Sequence, residues 1–115
     1  MEIMNKVYQS ISQNILNNVK NGWTSACINA EVLDGVVKLN GGYERDSFFT
    51  SFKFRQFDRR IINDFQTLHT ITTEDSENKW NRALFSLEPT GKFNIEFEWD
   101  QDLSDEIERL NNESI

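Results

Sequence analysis

The sequence has one cysteine, one histidine and one proline, and this scarcity excludes several kinds of site before any motif is considered. Cys27 alone permits no internal disulfide and no thiolate cluster for zinc. His69 alone permits neither a cage of imidazoles nor a two-histidine facial triad around a metal. We therefore expect no metal and no cofactor, and a fold that depends on packing rather than on cross-links.

Long hydrophobic runs are also missing. No apolar stretch approaches the roughly 18 residues that a membrane helix needs, and residues 1–20 lack the basic and then apolar blocks of a signal peptide. These absences predict a cytoplasmic protein. Nine Phe and three Trp nevertheless supply large side chains for a core, and 115 residues suit a single domain, residues 1–115.

Basic residues are few, and the acidic excess is concentrated near the C-terminus. Twelve Lys and Arg against 19 Asp and Glu give a formal net charge of −7. Residues 1–73 carry eight basic and seven acidic side chains, whereas residues 74–115 carry four basic and twelve acidic ones. Because phosphate neutralisation needs clustered Lys and Arg, this balance argues against a nucleic-acid partner.

The hydrophobic periodicity predicts an α+β domain with a mostly antiparallel five-stranded sheet and three helices, at the N-terminus, in the middle and, as a short helix, at the C-terminus. Apolar residues at helical spacing predict a first helix over residues 2–21, ended by Asn21-Gly22. Period-two patterns predict strands around 26–33, 36–42, 48–55, 83–87 and 93–99, with Asp34-Gly35 as a hairpin turn. Helices are expected from Asp58 and over 103–110, and Thr70–Asn78 as a polar connection.

Two glycines interrupt the second predicted strand. Gly41-Gly42 lies near the end of that strand, where glycine usually marks a bulge or a close approach of two backbones. The pair by itself does not form a phosphate-binding motif.

The fifth predicted strand has two contrasting faces. Phe93, Ile95, Phe97 and Trp99 alternate with polar residues and are expected in the core. The opposite face continues into an acidic run made of Glu96, Glu98, Asp100, Asp102, Asp105 and Glu106. Such a run is either a solvated surface or a negative patch that captures a basic partner, since complementary potential steers association and sets specificity. The concentration of negative charge in this third of the chain favours the second interpretation.

The sequence gives little support for a catalytic function. Cys27 and His69 form the one conceivable nucleophile and base pair, without a local motif around either, and His69 suits a boundary position on the second helix. Glu96 and Glu98 share a strand face but no sugar cleft is indicated. No phosphate-binding loop, zinc-protease or nucleophile-elbow pattern occurs, and Asp100–Asp105 departs from the EF-hand order. The sequence therefore predicts a protein that is not an enzyme.

An alternative function arises from the third predicted strand. Phe49 would share one strand face with Lys53 and Arg55, and aromatic and basic residues on a sheet can stack and hold nucleic-acid bases. The competing interpretation, which we prefer, is that the even-numbered residues Phe48, Phe52 and Phe54 fill the core, since only Phe49 shares a face with the two cations. The net charge opposes this alternative, a small sheet-based nucleic-acid-binding domain.

Several stretches resemble the YezG-like immunity proteins, small bacterial proteins of polymorphic toxin and contact-dependent growth inhibition systems. The resemblance rests on the Met4-Asn-Lys-Val-Tyr-Gln-Ser-Ile helix, Trp23, Trp80, and the run from Leu84-Phe85 through Pro-Thr-Gly-Lys-Phe to Trp99-Asp100. It spans most of the chain in element order and is closest in the first helix and the Gly-Lys-Phe hairpin.

The resemblance implies a cytoplasmic protein that neutralises a cognate toxin, typically a nuclease, as a stoichiometric inhibitor in a heterodimer. A nuclease presents a basic substrate-binding surface, which an acidic protein can cover. The acidic run is then the expected interface. If that run only solubilises the chain, the partner-binding surface is expected around Tyr43, Phe49 or Trp80.

Overall fold

The computed structural model describes residues 2–74 and 79–113 and places them around one antiparallel sheet. The elements are α1 (Glu2–Leu16), β1 (Trp23–Leu33), β2 (Val36–Arg45), β3 (Phe48–Ser51), a 3₁₀ turn (Phe54–Gln56), α2 (Arg60–Thr72), β4 (Arg82–Leu87), β5 (Phe93–Glu98) and α3 (Gln101–Glu113). The predicted α+β class, with five strands and three helices, is confirmed.

The strand order is β3-β2-β1-β4-β5, with every neighbouring pair antiparallel. Short turns account for this order, since consecutive strands joined by tight connections must reverse direction. Asp34 and Gly35 form the predicted two-residue hairpin, both with positive φ as a primed turn requires. The connection through α2 then places β4 on the free side of β1. Strand β1 is therefore the centre of the sheet.

The hydrophobic core lies between one face of the sheet and the helices α1 and α2. Ile28 on β1 and Phe85 on β4 are register partners and are fully buried. Ile11 on α1 and Phe65 on α2 are equally buried and belong to the same core cluster. The alternation along β1 and β4 and the helical spacing of α1 thus identified the buried faces correctly. No described residue of α3 is a member of this core.

A buried asparagine joins α1 to the segment that leads into α2. The Asn14 side-chain amide donates to the Asp58 carbonyl oxygen, and the Asp58 backbone N–H donates back to Asn14 Oδ1, both at 2.9 Å. Ser10 Oγ donates to Asp64 Oδ2 at 2.6 Å between the two helices. These bonds satisfy polar groups that burial would otherwise penalise.

Helix α1 ends at Leu16, five residues before the predicted stop at Asn21. The Asn18 side chain donates to the Asn14 carbonyl oxygen, and the Asn18 backbone N–H donates to the Ile15 carbonyl oxygen. Asparagine side chains compete with the helical pattern in this way, which is why they favour helix ends. Gly22, with φ of 89°, belongs to the turn that enters β1.

Strand β3 is also shorter than predicted, ending at Ser51 rather than near Arg55. The chain leaves the sheet because Phe52 and Phe57 are buried beside Tyr43, with Phe54 packed edge-on against Phe52. A 3₁₀ turn brings these rings together, which an extended strand would separate. Phe48 was also expected in the core, but its side chain is 77% exposed on this edge strand.

Helix α2 starts at Arg60 and reaches Thr72, so it includes the first three residues of the predicted polar connection. Asp58, the predicted N-cap, accepts a hydrogen bond from the Arg60 backbone N–H through Oδ1. Thr73 and Glu74 follow the helix, and the last four residues of the predicted connection, 75–78, lie outside the described residues.

The apolar face of β5 is less buried than predicted. Ile95 is half-buried, whereas Phe93, Phe97 and Trp99 are exposed over about two-fifths of their surface. Phe93 stacks on Phe85, and Phe97 packs against Trp80. However, β5 is an edge strand with no further strand beside it. An edge position leaves one flank of each ring in solvent. The expectation that all four residues pack into the core is therefore wrong.

Candidate functional site on the open face of the sheet

The sheet face opposite α1 and α2, called the open face below, carries mainly polar side chains. Register pairs assign its members, because directly opposed residues point to the same side of a sheet. Every one of these side chains is exposed or half-buried. They are Ser25, Cys27, Asn29 and Glu31 on β1; Lys38, Asn40 and Glu44 on β2; Phe49 and Ser51 on β3; Arg82, Leu84 and Ser86 on β4; and Asn94, Glu96 and Glu98 on β5.

Arg82 organises the charges at one end of the open face. Its Nη1 donates to Glu31 Oε1 at 3.0 Å, and its Nε donates to Asp100 Oδ2 at 2.9 Å. These carboxylates, the bond to Asp100 above all, raise the pKa of Arg82, so it stays cationic. One of the few basic residues in this half of the chain is therefore committed to two internal acids.

Asp100 has a structural role that the sequence prediction did not anticipate. The Asn81 side chain is buried, donates to the Asp100 carbonyl oxygen and accepts from the Asp100 N–H, each at 2.8 Å. Asp100 Oδ1 accepts the Leu103 backbone N–H at 3.0 Å, which caps α3. The bond from Leu103 and that from Arg82 lower the pKa of Asp100. Its carboxylate is thus occupied within the molecule.

The predicted acidic run divides into two groups. Glu96 and Glu98 lie on the open face of β5 and line, with Asp100, Arg82 and Asn29, a groove of about 600 Å³, called the acidic groove below. The other three acids, Asp102, Asp105 and Glu106, are exposed on α3, and Asp105 accepts a hydrogen bond from Gln101. The structure thus brings three of the six residues into one groove.

A second concavity lies at the opposite end of the open face, beside Phe49. It measures about 340 Å³ and is called the Phe49 hollow below. A Cβ at Gly42 would lie 2.6 Å from Phe49 Cζ, so the ring rests directly over the glycine backbone. Glu44, Glu88 and Lys92 are the charged residues that line the hollow, and Cys27 and Gly42 contribute to its lining.

Sequence reasoning named Cys27, Gly42 and Phe49 for other reasons but missed the charged residues of this hollow, Glu44, Glu88 and Lys92. Gly42 was noted as a site of close backbone approach, and that prediction is confirmed, because an added Cβ would collide with the Thr50 carbonyl oxygen. Glu44 joins the site only through the pairing of β2 with β3, which sets it directly opposite Phe49. No sequence signal gives that register in advance.

Two of the proposed partner-binding residues are buried. Tyr43 is 5% exposed and Trp80 is 3% exposed. Trp80 donates through Nε1 to Thr72 Oγ1 at 2.7 Å and packs against Phe97. Both aromatic rings fill the space between sheet and helices, so neither offers a surface to a partner. Phe49, at 57% exposure, is the member of that group that remains on the surface.

Cys27 and His69 lie on opposite sides of the sheet. Cys27 lines the Phe49 hollow on the open face. His69 is half-buried on the helical side, where Nε2 donates to the Trp80 carbonyl oxygen at 2.9 Å and the ring meets the Trp80 ring edge-on. The two side chains therefore cannot act as a nucleophile and base. Over residues 2–74 and 79–113, no group of three or more His, Cys, Asp or Glu is arranged to hold a metal ion.

The strand predicted to carry the nucleic-acid surface ends before two of its three residues. Phe49 belongs to β3, whereas Lys53 and Arg55 lie beyond its end, before and within the 3₁₀ turn. The three residues do not alternate along one strand. The predicted strand face on which the alternative function relied is therefore not formed.

No helix among the described residues is both long enough and apolar enough to cross a membrane. A scan against protein-family models finds no match, and a search of curated proteins finds no relative.

Proposed function

We propose that this protein is a cytoplasmic immunity protein that binds a cognate toxin and neutralises it as a stoichiometric inhibitor. The observation that carries the proposal is the open face, a broad polar sheet surface that α1 and α2 do not cover. The acidic groove lies at one end of this face and the exposed Phe49 ring at the other. The resemblance of the first helix and the last hairpin to YezG-like immunity proteins agrees with it.

The charge of the acidic groove indicates the kind of partner that it would bind. Glu96 and Glu98 are exposed on an edge strand, and Arg82, the cation beside them, is held by Glu31 and Asp100. The groove therefore retains a negative surplus. A basic surface, such as the substrate-binding surface of a nuclease toxin, complements it and would be steered towards it on approach.

The open face also suits inhibition without catalysis. A sheet backed by two helices holds its backbone in place before a partner arrives, which reduces the entropy lost on binding. Covering a basic substrate site needs only shape and charge. The acids of α3, Asp102, Asp105 and Glu106, extend the negative potential beyond the sheet.

Charge reversal tests this proposal. The Glu96→Lys/Glu98→Lys double variant is expected to bind the toxin encoded in the adjoining gene roughly tenfold or more weakly at low salt, with most of the loss in the association rate. Biolayer interferometry at low and high salt measures both rates. The loss should shrink at high salt, because the interaction between exposed charges is screened.

A matched control separates local charge from net charge. Glu2→Lys/Glu74→Lys makes the same change in net charge at exposed positions on α1 and after α2, away from the open face. It should bind almost as the unaltered protein does. Equal losses in both variants would show that only net charge matters, and undiminished binding of the folded Glu96→Lys/Glu98→Lys variant would place the interface elsewhere. Genomes in which the adjoining gene encodes no toxin would remove the proposal's premise.

A further inference from the structure

The Phe49 hollow combines an exposed aromatic wall with two unpaired carboxylates. Within the described part of the chain, neither Glu44 nor Glu88 takes part in a salt bridge. Lys92 is the basic residue of the lining, so the three charged side chains leave one negative charge in surplus. Exposed aromatic surface beside an unpaired acid is an arrangement that favours an organic cation.

We infer that the Phe49 hollow receives an arginine side chain of a basic protein partner, with the guanidinium stacked on the Phe49 ring and paired with the Glu44 carboxylate. The choice of a basic protein as the occupant rests on the proposed function. The choice of arginine rests on the geometry of the hollow.

Register places the two binding groups side by side. Glu44 and Phe49 are direct partners across β2 and β3, and directly opposed residues have Cβ atoms about 4.5–5.5 Å apart. A cation above the ring is therefore within reach of the carboxylate. Because the ring rests on Gly42, its orientation is set before any ligand binds.

The size and lining of the hollow favour a long side chain. Its volume of about 340 Å³ is at the low end of ligand pockets, which range over roughly 300–1,000 Å³. The apolar part of its lining, including Cys27, suits the methylene stem, and Glu44 and Glu88 offer acceptors to the head. Arginine fits better than lysine, because its planar, weakly hydrated guanidinium both stacks and forms paired hydrogen bonds.

A titration monitored by NMR tests this without the toxin. The full ¹⁵N-labelled chain is titrated with N-acetyl-arginine amide, and separately with the citrulline counterpart, a neutral molecule of nearly the same shape. The arginine probe should bind in the millimolar range and shift the amides of Gly42, Glu44 and Phe49. The citrulline probe should bind at least several-fold more weakly, because it lacks the charge.

Two variants assign the contacts, and a third serves as the control. Phe49→Leu keeps apolar cover over Gly42 but removes the aromatic face, and is expected to weaken arginine binding about two- to fivefold. Glu44→Gln should weaken it by a similar factor. Phe48→Ala removes the neighbouring exposed ring on the opposite side of the strand and should leave binding unchanged. The dispersion of the amide spectrum verifies that each variant is folded.

Several results would overturn the inference. These are equal binding of the arginine and citrulline probes, shifts centred on the acidic groove, or unchanged affinity in both Phe49→Leu and Glu44→Gln. The outcome is separable from that of the proposed function. If the protein binds the toxin but not the arginine probe, only the inference about the hollow is refuted. If it binds the arginine probe but not the toxin, only the proposed function is refuted.

Discussion

At the residue scale, two buried asparagines connect parts of the chain that are far apart in sequence. Asn14 pairs with the backbone of Asp58, and Asn81 pairs with the backbone of Asp100. Each amide offers one donor and one acceptor to a peptide unit, as a neighbouring strand would. They hold segments in place where no sheet ladder reaches.

Asn81→Ala should therefore be strongly destabilising. The change leaves the Asp100 N–H without its partner and removes one of the two donors to the Asp100 carbonyl oxygen, the other being the Ser104 N–H. It also empties a buried position, and we expect a loss of about 2–4 kcal/mol in the free energy of unfolding. Urea denaturation monitored by tryptophan fluorescence measures it. Asn94→Ala, on the exposed face of β5, is the matched control and should change stability by about 0.5 kcal/mol or less. Similar losses at both positions would contradict the role of Asn81.

Gly41 provides a second test at this scale. Its φ is 151°, and an added Cβ would collide with the carbonyl oxygen of Cys27 on β1. Gly41→Ala should cost about 3 kcal/mol or more, since the backbone of the central strand cannot yield easily. Gly91→Ala, where φ is also positive but no atom lies within 4 Å of an added Cβ, should cost only about 1–2 kcal/mol. Thermal unfolding followed by circular dichroism gives the comparison, and equal costs would show that backbone conformation alone matters.

At the element scale, the start of α3 depends on Asp100. Its carboxylate caps the Leu103 N–H and pairs with Arg82, which also binds Glu31 and lies near Glu98. This capping fixes where the last helix begins. The ion pair with Arg82 also joins that helix to the start of β4 on the open face.

Strong acid should release this end of α3. The pKa of Asp100 is lower in the folded chain than its ordinary value of 3.8, so the carboxylate stabilises the fold above that value. This contribution is lost as the pH falls through the lowered pKa, when the carboxyl group becomes protonated. The Leu103 amide resonance, followed by NMR from neutral pH downwards, should move with a midpoint below 3.8. In Asp100→Asn that transition should vanish, and a persisting one would assign the titration to another group.

At the scale of the whole molecule, the negative charge is arranged unevenly around the fold. The net charge of −7 resides mainly in the last third of the chain, and that third forms one edge of the sheet and the helix after it. Charged residues on an edge strand also discourage unwanted strand pairing between molecules. Glu96 and Glu98 therefore serve solubility whether or not they also bind a partner.

Much of the fold was predictable because local patterns carried it. The alternation in β1 and β4, the spacing in α1 and the Asp34-Gly35 turn each depend on neighbouring residues, and each prediction is confirmed. The predictions were wrong where contacts between residues far apart in the chain outweighed the local pattern. The clustering of Phe52 and Phe57 ended β3 early, and the edge position of β5 left Phe93 and Phe97 exposed.

The sequence by itself determined the class of fold, the concentration of acid near the C-terminus and the scarcity of metal and nucleophile residues, because composition and periodicity are local properties. Only the tertiary structure decided which candidates share a surface. It buried Tyr43 and Trp80, engaged Asp100 with Arg82, and set Glu44 beside Phe49. Those outcomes depend on strand register and on which face the helices cover, and both are set by contacts between residues far apart in the chain.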